Sequence, residues 1–554
     1  MPLWTERTAT RAYPITLGIF FVVLVNLILI YRYLPRDPPP VSIPNNPPAA
    51  NEPYPPYNPP QYGLKSVRPL KKERKFVSQV LDDFIRSTKA NMTDRDLSIL
   101  LENCLPNTLD TTVEWVNEDE KNPSTFLITG DIPAMWIRDS SNQIAPYIRF
   151  IKNDQILRNL VFGVLLVQAD YLYYDPYANA FLKPWYAPKN GNERGSTSDR
   201  VVPNYDPDIV WESKYELDSI GHFFQLAAQY IEATGDVERV FTSKRWLRAV
   251  NRVFQVLEDQ MKDTWPAISY KSAFSTNDSH KLVHGEPEPV SLAKGYRFRR
   301  QTDRPTETLG EFGIGGITRR CGLVRSAFRP SDDATTFPYL IPANAQLSVQ
   351  LLKLDSHIEA YKAQQQQGTN ISIQVQTIGL NARGLGESIR KAIYEHAIVT
   401  HPTFGQVFAF EVDCYGSTLI MDDANTPSLL SLPVLGFVEK NDTIYRNTRN
   451  LILSEWNPWY FKSTFARGIG GPHTGQNMVW PMSILMQIQT SELESEVREC
   501  IDMLKRMAKR TGSLMCESFN VNRPSSFTRS WFSWANGLAG STILDIVEKY
   551  PHLA

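Results

Sequence analysis

Apolar residues recur at three- and four-residue spacing through most of the chain, and this spacing predicts amphipathic helices. In SKRWLRAVNRVFQVLEDQM, Trp246, Val250, Val253 and Leu257 share one face. Leu493, Val497, Ile501, Leu504 and Ala508 do the same, and Gly512 follows as a stop. A third helix starts near Asp218, with Ile220, Phe223, Phe224, Ala227 and Ile231 on one side, and ends at Gly235. Further helical runs lie around 140–172, 345–366, 384–398, 427–437, 475–489 and 530–548. Strand-like pieces are short and few, such as 406–412 and 418–421. Residues 274–312 are polar, partly basic (Arg297, Arg299, Arg300) and aperiodic, so they read as a long loop or insertion. Helices this numerous, joined by loops rich in Asp, Trp, Arg and Gly, predict an all-α toroid with its function on the loops.

The N-terminus follows another pattern. Residues 15–31, ITLGIFFVVLVNLILIY, carry no charge and are just long enough to span a bilayer as a helix. Tyr13, Tyr31 and Tyr33 sit at its ends, where amphipathic rings favour the headgroups. Arg32, Tyr33 and Pro35 follow in place of a small-x-small cleavage site, which favours an uncleaved anchor over a signal peptide. Arg7 and Arg11 before the span balance Arg32 and Arg36 after it. The short tail 1–14 and the large body point to a single-pass, type II protein with its N-terminus in the cytosol. Residues 32–64 are dense in proline and read as an extended stalk of up to ~3.1 Å per residue. The body is expected over 65–554. Its sequons at Asn91, Asn277, Asn370 and Asn441 agree with a lumenal location as glycosylation sites.

Composition narrows the function. A formal net charge of −1 over 554 residues gives nucleic acid no support as a partner. Five cysteines allow at most two bridges and none form CxxC; eight histidines show no HExxH, so a zinc site has little support. Acidic residues 411–425 lack regular oxygen-ligand spacing, so no metal and no cofactor is expected.

Carboxylates, guanidinium groups and aromatics cluster in a few stretches. TGDIPAMWIRDSSNQ holds Trp136, Arg138 and Asp139. This is a plausible helix cap, and equally a sugar site in which the charged pair binds hydroxyls over a Trp floor. WESKYELDS places Glu216 and Asp218 at the start of a helix. Capping accounts for one of them; mutual repulsion would raise the pKa of one, as an acid catalyst needs. FRPSDDATTFPYLIPAN contributes Asp333, and GGPHTGQNMVW contributes His473 beside a turn. SLMCESFNVNRPSS sets Glu517 among hydroxyls, amides and cations, with Asn522 and Arg523 close by and a Trp/Phe run after it. Planar polar groups, aromatic faces and a proton-moving carboxylate are the components of a carbohydrate pocket.

Taken in order over residues 70–548, TGDIPAMWIRDSSNQ, WESKYELDS, FRPSDDATTFPYLIPAN, PHTGQNMVWP and CESFNVNRP resemble glycoside hydrolase family 125, the exo-acting α-1,6-mannosidases. The resemblance implies an (α/α)6 barrel and an inverting, metal-independent hydrolase acting on mannose-containing glycans. It implies Asp218 as general acid and Glu517 as general base. Trp136, Arg138, Asp139, Glu216, Asp333, His473, Asn522 and Arg523 then line the terminal mannose. An inverting pair needs roughly 6.5–9.5 Å between carboxyls to admit water. The anchor and stalk lie outside the resemblance and look like a Golgi-type arrangement of a fungal secretory-pathway enzyme. Alternatives are another inverting glycosidase on the same barrel, or a non-catalytic glycan-binding membrane protein. A glycosyltransferase shares the anchor topology, but Asp206-Pro207-Asp208 fits its DxD signature only by letters.

Overall fold

The computed structural model describes residues 59, 61–188, 191, 193–196, 198–264, 282–283, 286–293, 295–364 and 372–554. The tail 1–14, the anchor 15–31, nearly all of the stalk, Asn277 and Asn370 lie outside the described residues. The body begins slightly before the expected boundary. Leu64 is buried and its N–H donates to Asp96, while the Tyr62 hydroxyl reaches Asp502 at 2.5 Å.

Fourteen α-helices are described, numbered α1 to α14 in chain order. Five form an inner layer: α4 (Ile137–Ile144), α6 (Leu217–Thr234), α9 (Ile341–Gln364), α12 (Pro481–Thr490) and α14 (Ser533–Lys549). They touch in the order α12, α14, α4, α6, α9. Residues 426–437 fill the sixth inner position as tight turns rather than the predicted helix. Pro433 withholds an N–H, and Gly436 turns left-handed at φ 80° beside Val349 of α9. Lys440 closes the gap to α12 by donating to the Gln489 carbonyl.

The outer layer is α2 (Arg95–Cys104), α5 (Gln155–Tyr174), α8 (Lys244–Gln260), α10 (Ile373–His396), α11 (Thr443–Ile452) and α13 (Glu494–Ala508). Helix α5 is long and apolar enough to cross a membrane, but it is a buried core helix packed on α8. Six inner and six outer positions make the (α/α)6 arrangement. Within the expected loop 274–312, Arg297–Arg299 pairs antiparallel with Arg200–Val202, with Phe298 fully buried.

The two layers start their helices differently. Outer helices α2, α5, α8, α10 and α11 open on Asp94, Asp154, Ser243, Ser372 and Asp442, whose side chains accept from the first-turn N–H groups. Inner helices α4, α6, α12 and α14 open on Trp136, Glu216, Trp480 and Phe532, with no side-chain cap. Those inner N-termini lack an N-cap side chain and carry the positive end of the helix dipole; the first N–H of α4 donates to the Asn179 carbonyl and that of α6 to Ser326 Oγ. Short strands precede three inner helices: Met135–Trp136 before α4, Tyr339–Leu340 before α9 and Met478–Val479 before α12. One disulfide, Cys321–Cys414, ties two distant loops, while Cys104, Cys500 and Cys516 are buried thiols.

Candidate active site

A cavity of about 380 Å³ opens where the inner helices begin. Trp136, Trp480 and Phe532, the residues that start α4, α12 and α14, form part of its wall, with Trp211 and Trp534. Choosing aromatics over Ser or Asp at these positions sacrifices capping and gains ring surface around the opening.

Arg138, in the first turn of α4, is the centre of charge. Its Nη1 reaches Glu216 Oε2 at 2.5 Å and Asp218 Oδ2 at 3.6 Å; Nη2 reaches Asp332 Oδ1 and Nε reaches Asp139 Oδ1, both at 3.4 Å. Asn179 Nδ2 also donates to Glu216 Oε1 at 3.2 Å. One buried guanidinium thus faces four carboxyl groups. Lys214, with Nζ 3.3 Å from Glu212, is a second cation whose charge acts on Asp332 and Glu216. Four negative charges on so few cations in a desolvated site cannot all persist, so some of these carboxyls hold protons.

Each carboxyl responds to its place. Burial pushes Asp218 up to about 6, against the pull of Arg138. Asp139 rises to about 6 for the same reasons. Glu216 goes well above its ordinary value through burial, helped by Asp332 and opposed by Arg138. Burial presses on Asp332 too, but Arg138, Lys214 and a hydrogen bond with Glu216 outweigh it and hold Asp332 below the usual carboxylate range. Asp218 is 0% exposed, and neither of its oxygens accepts a hydrogen bond among the described residues. Trp136 Nε1 and one Asp333 oxygen are buried and unpartnered in the same way. Unmade hydrogen bonds of this kind cost about 1–3 kcal/mol each; of the three residues Trp136 lines the cavity, where its Nε1–H is a free donor.

Glu517 stands on the cavity wall just before strand Ser518–Asn520, which pairs with Met478–Val479 and with Phe527–Thr528. Its N–H donates to the Arg529 carbonyl at 3.2 Å, and its Oε1 accepts from Arg529 Nη1 at 3.3 Å. Arg529 also pairs with Asp131 and lies 4.9 Å from the Phe532 ring centre. The Glu517 side chain is 10% exposed, open on its cavity side.

Of the residues expected from sequence, Trp136, Arg138, Asp139, His473 and Glu517 share the wall. Glu216 and Asp218 lie behind Arg138, in contact with it but off the wall. Asp333 is fully buried and accepts from Ser331, whereas its neighbour Asp332 lines the cavity. A left-handed φ of 66° at Asp332 turns the two side chains apart. Asn522 and Arg523 do not belong to the wall: both are exposed, on a turn held by Asn520 Oδ1 accepting from their N–H groups. Arg529, on the returning strand end, supplies the cation instead. Sequence reasoning also left out Asp131, Trp211, Glu212, Lys214, Trp480 and Trp534; their signal was proximity to the motifs and their aromatic or charged type. Asn91 and Asn441 are exposed. Among the described residues one group has metal-ligand spacing, Cys321, His396 and Cys414, and its two thiols are consumed in the disulfide.

Comparison with known proteins agrees with this geometry. The sequence model of a family described as metal-independent alpha-mannosidase (GH125) matches residues 94–544. The meiotically up-regulated gene 157 protein of Schizosaccharomyces pombe is 46% identical over 492 residues, covering 88% of this chain and 90% of that protein. A solved Streptococcus pneumoniae structure is 31% identical with a TM-score of 0.72, covering 86% of this chain and 100% of that one. It is described as a metal-independent alpha mannosidase in a non-productive complex with alpha-1,6-mannobiose.

Proposed function

From the premise that this chain belongs to the metal-independent α-mannosidases of glycoside hydrolase family 125, we propose that it removes terminal α-1,6-linked mannose from glycans with inversion. The observation that carries this reading is a cavity with one carboxyl on its wall, Glu517, and a second, Asp218, buried behind the wall residue Arg138, the two in unlike settings. Asp218 is buried, accepts no hydrogen bond within 3.5 Å, lies 3.6 Å from Arg138 and is pushed up to about 6, as suits a proton donor. Glu517 faces the open cavity beside a cation, as suits a base. The leaving oxygen takes the proton of Asp218 as its bond to the anomeric carbon breaks. A water attacks from the opposite face, its oxygen joins that carbon, and its proton passes to Glu517. Solvent then returns a proton to Asp218 and removes one from Glu517. Asp332, held ionised at the wall, accepts hydrogen bonds from sugar hydroxyls, and the Trp rings take the C–H faces. The linkage in the complex of the streptococcal relative supports the α-1,6 choice.

Purified full-length protein should release mannose from α-1,6-mannobiose far faster than from α-1,2- or α-1,3-linked isomers. Proton NMR of the first product should show β-mannose. Initial α-mannose would mean retention and overturn the acid–base assignment; preference for another linkage would overturn the substrate.

The body is lumenal in this proposal, held by the uncharged apolar segment 15–31 and the proline-rich segment after it. The Cys321–Cys414 disulfide suits an oxidising compartment, and Asn91 and Asn441 are accessible to glycosylation. Treatment with an N-glycan-removing enzyme should increase the mobility of the native protein on a gel. Unchanged mobility, with the protein digested by protease in intact microsomes, would place the body in the cytosol.

A further inference from the structure

A second cavity, about 300 Å³, lies between the start of α8, the later turns of α5 and the loop after Asn117, and shares no residue with the first. Its chemistry is unlike that of an incidental surface dip. Tyr186 is 43% exposed, yet it is fixed at every point. Its hydroxyl donates to Asp170 at 2.8 Å and accepts from Arg245 Nη2 at 2.7 Å. Its ring meets Trp185 edge-on at 5.5 Å and Trp115 at 6.0 Å. Asp170 is almost wholly buried and takes Arg245 at 2.5 Å and Arg248 at 3.0 Å. Arg248 Nε is buried without a hydrogen-bond partner. The catalytic proposal uses none of these groups.

We propose that this cavity binds a pyranose unit of a neutral oligosaccharide, as a second glycan site distinct from the catalytic one. An exposed ring held rigid by its own hydroxyl loses little entropy when a sugar face stacks on it. The amides of Asn117 and Asn122 add donors and acceptors at the rim. Charge decides between ligand classes. Lys244, Arg245 and Arg248 are matched by Asp119, Asp170 and Glu286, so the cavity is formally neutral. A phosphate or polyanion would need an excess of cations; hydroxyl groups bond to paired ions of both signs. The choice of a mannose probe rests on the mannosidase reading; the existence of the site does not.

The test uses full-length protein carrying Glu517→Gln, which leaves the probe uncleaved. Calorimetric titration with α-1,6-mannotriose should give two bound molecules per chain. Adding Tyr186→Ala should reduce this to one, with the remaining affinity unchanged within about twofold. Trp185→Ala, whose ring contacts are with Tyr174 and Tyr186, is the second variant should Tyr186→Ala unfold. In the otherwise native chain, Trp185→Ala should keep kcat and KM on α-1,6-mannobiose and raise KM on longer chains at least threefold. A stoichiometry of one before mutation, or of two after it, overturns the proposal. Tighter binding of mannose 6-phosphate than of mannose at this cavity overturns the neutral-sugar assignment. Failure of turnover with two binding events intact would count against the mannosidase reading alone.

Discussion

Replacing Asp218 by Asn separates what this carboxyl does for chemistry from what it costs the fold. Its ordinary value is 3.8 and burial raises it to about 6. At pH 5 about 90% of the native molecules then hold the proton, against about 6% for an unperturbed Asp. A group raised in the native state stabilises the fold below its unfolded value and loses that stability as pH rises through the folded value. The window is therefore 3.8 to about 6. A rise of roughly two units corresponds to about 3 kcal/mol, which the native protein gives up above pH 6. Asn carries no charge to desolvate, so the variant should be more stable than the parent at pH 7.5, by up to that amount, and nearly equal to it at pH 4. Thermal unfolding between pH 4 and 8 measures the difference. The same variant should lose about 10²–10⁴ in kcat/KM on α-1,6-mannobiose, whose leaving group needs a proton. It should keep most of its rate on a dinitrophenyl α-mannoside, whose leaving group does not. A stability difference that does not change with pH, or equal losses on both substrates, would refute the reasoning.

Arg138→Met removes the cation that Glu216, Asp218, Asp139 and Asp332 share. It should cost about 3–5 kcal/mol at pH 7 and less at pH 4.5, where more of these carboxyls are neutral; denaturant unfolding at both values checks it. The paired change Cys321→Ser and Cys414→Ser opens a link across 93 residues and should cost about 2–4 kcal/mol, read as a lower Tm against an unreduced parent. Chelation with EDTA should leave mannobiose hydrolysis intact, in keeping with the family's metal independence. Loss of activity that Ca²⁺ restores would contradict it.

The helical body was legible because amphipathic spacing survives in helices such as α8, α13 and α6, whose single apolar face and, for α6 and α13, closing glycine stand out in the sequence. The sixth inner position was misread at 427–437, because buried Leu429, Leu430 and Leu432 mimic helical spacing while Pro433 and Gly436 enforce turns. At the site, the motifs were visible as dense polar and aromatic stretches, but side-chain direction was not. In the Asp332–Asp333 doublet, one backbone angle chooses which carboxylate meets the cavity. Around Glu517, Asn522 and Arg523 look like ligands by type and nearness, yet the strand carries them past the opening to the turn. Arg529 comes back alongside because Ser518 pairs with Thr528, a register that composition does not reveal.

The arrangement around Arg138 is hard to justify by stability alone. Apolar side chains of similar volume are often as stable as a buried ion cluster, or more so. An Asp218 that accepts no hydrogen bond and a Glu216 driven well above its ordinary value add further cost. What the cluster does achieve is a division of protons among neighbours within a few ångströms of one guanidinium. Burial drives Glu216 and Asp218 up, Asp218 to about 6, while Arg138 and Lys214 hold Asp332 below the usual carboxylate range. The starts of α4, α12 and α14 work the same way, because aromatic residues of the cavity wall stand where capping side chains would. Entry of a sugar displaces water from the cavity and strengthens every interaction in it. In the proposed reaction the proton of Asp218 goes to the glycosidic oxygen, and Arg138, 3.6 Å away, offsets the buried negative charge that its loss leaves.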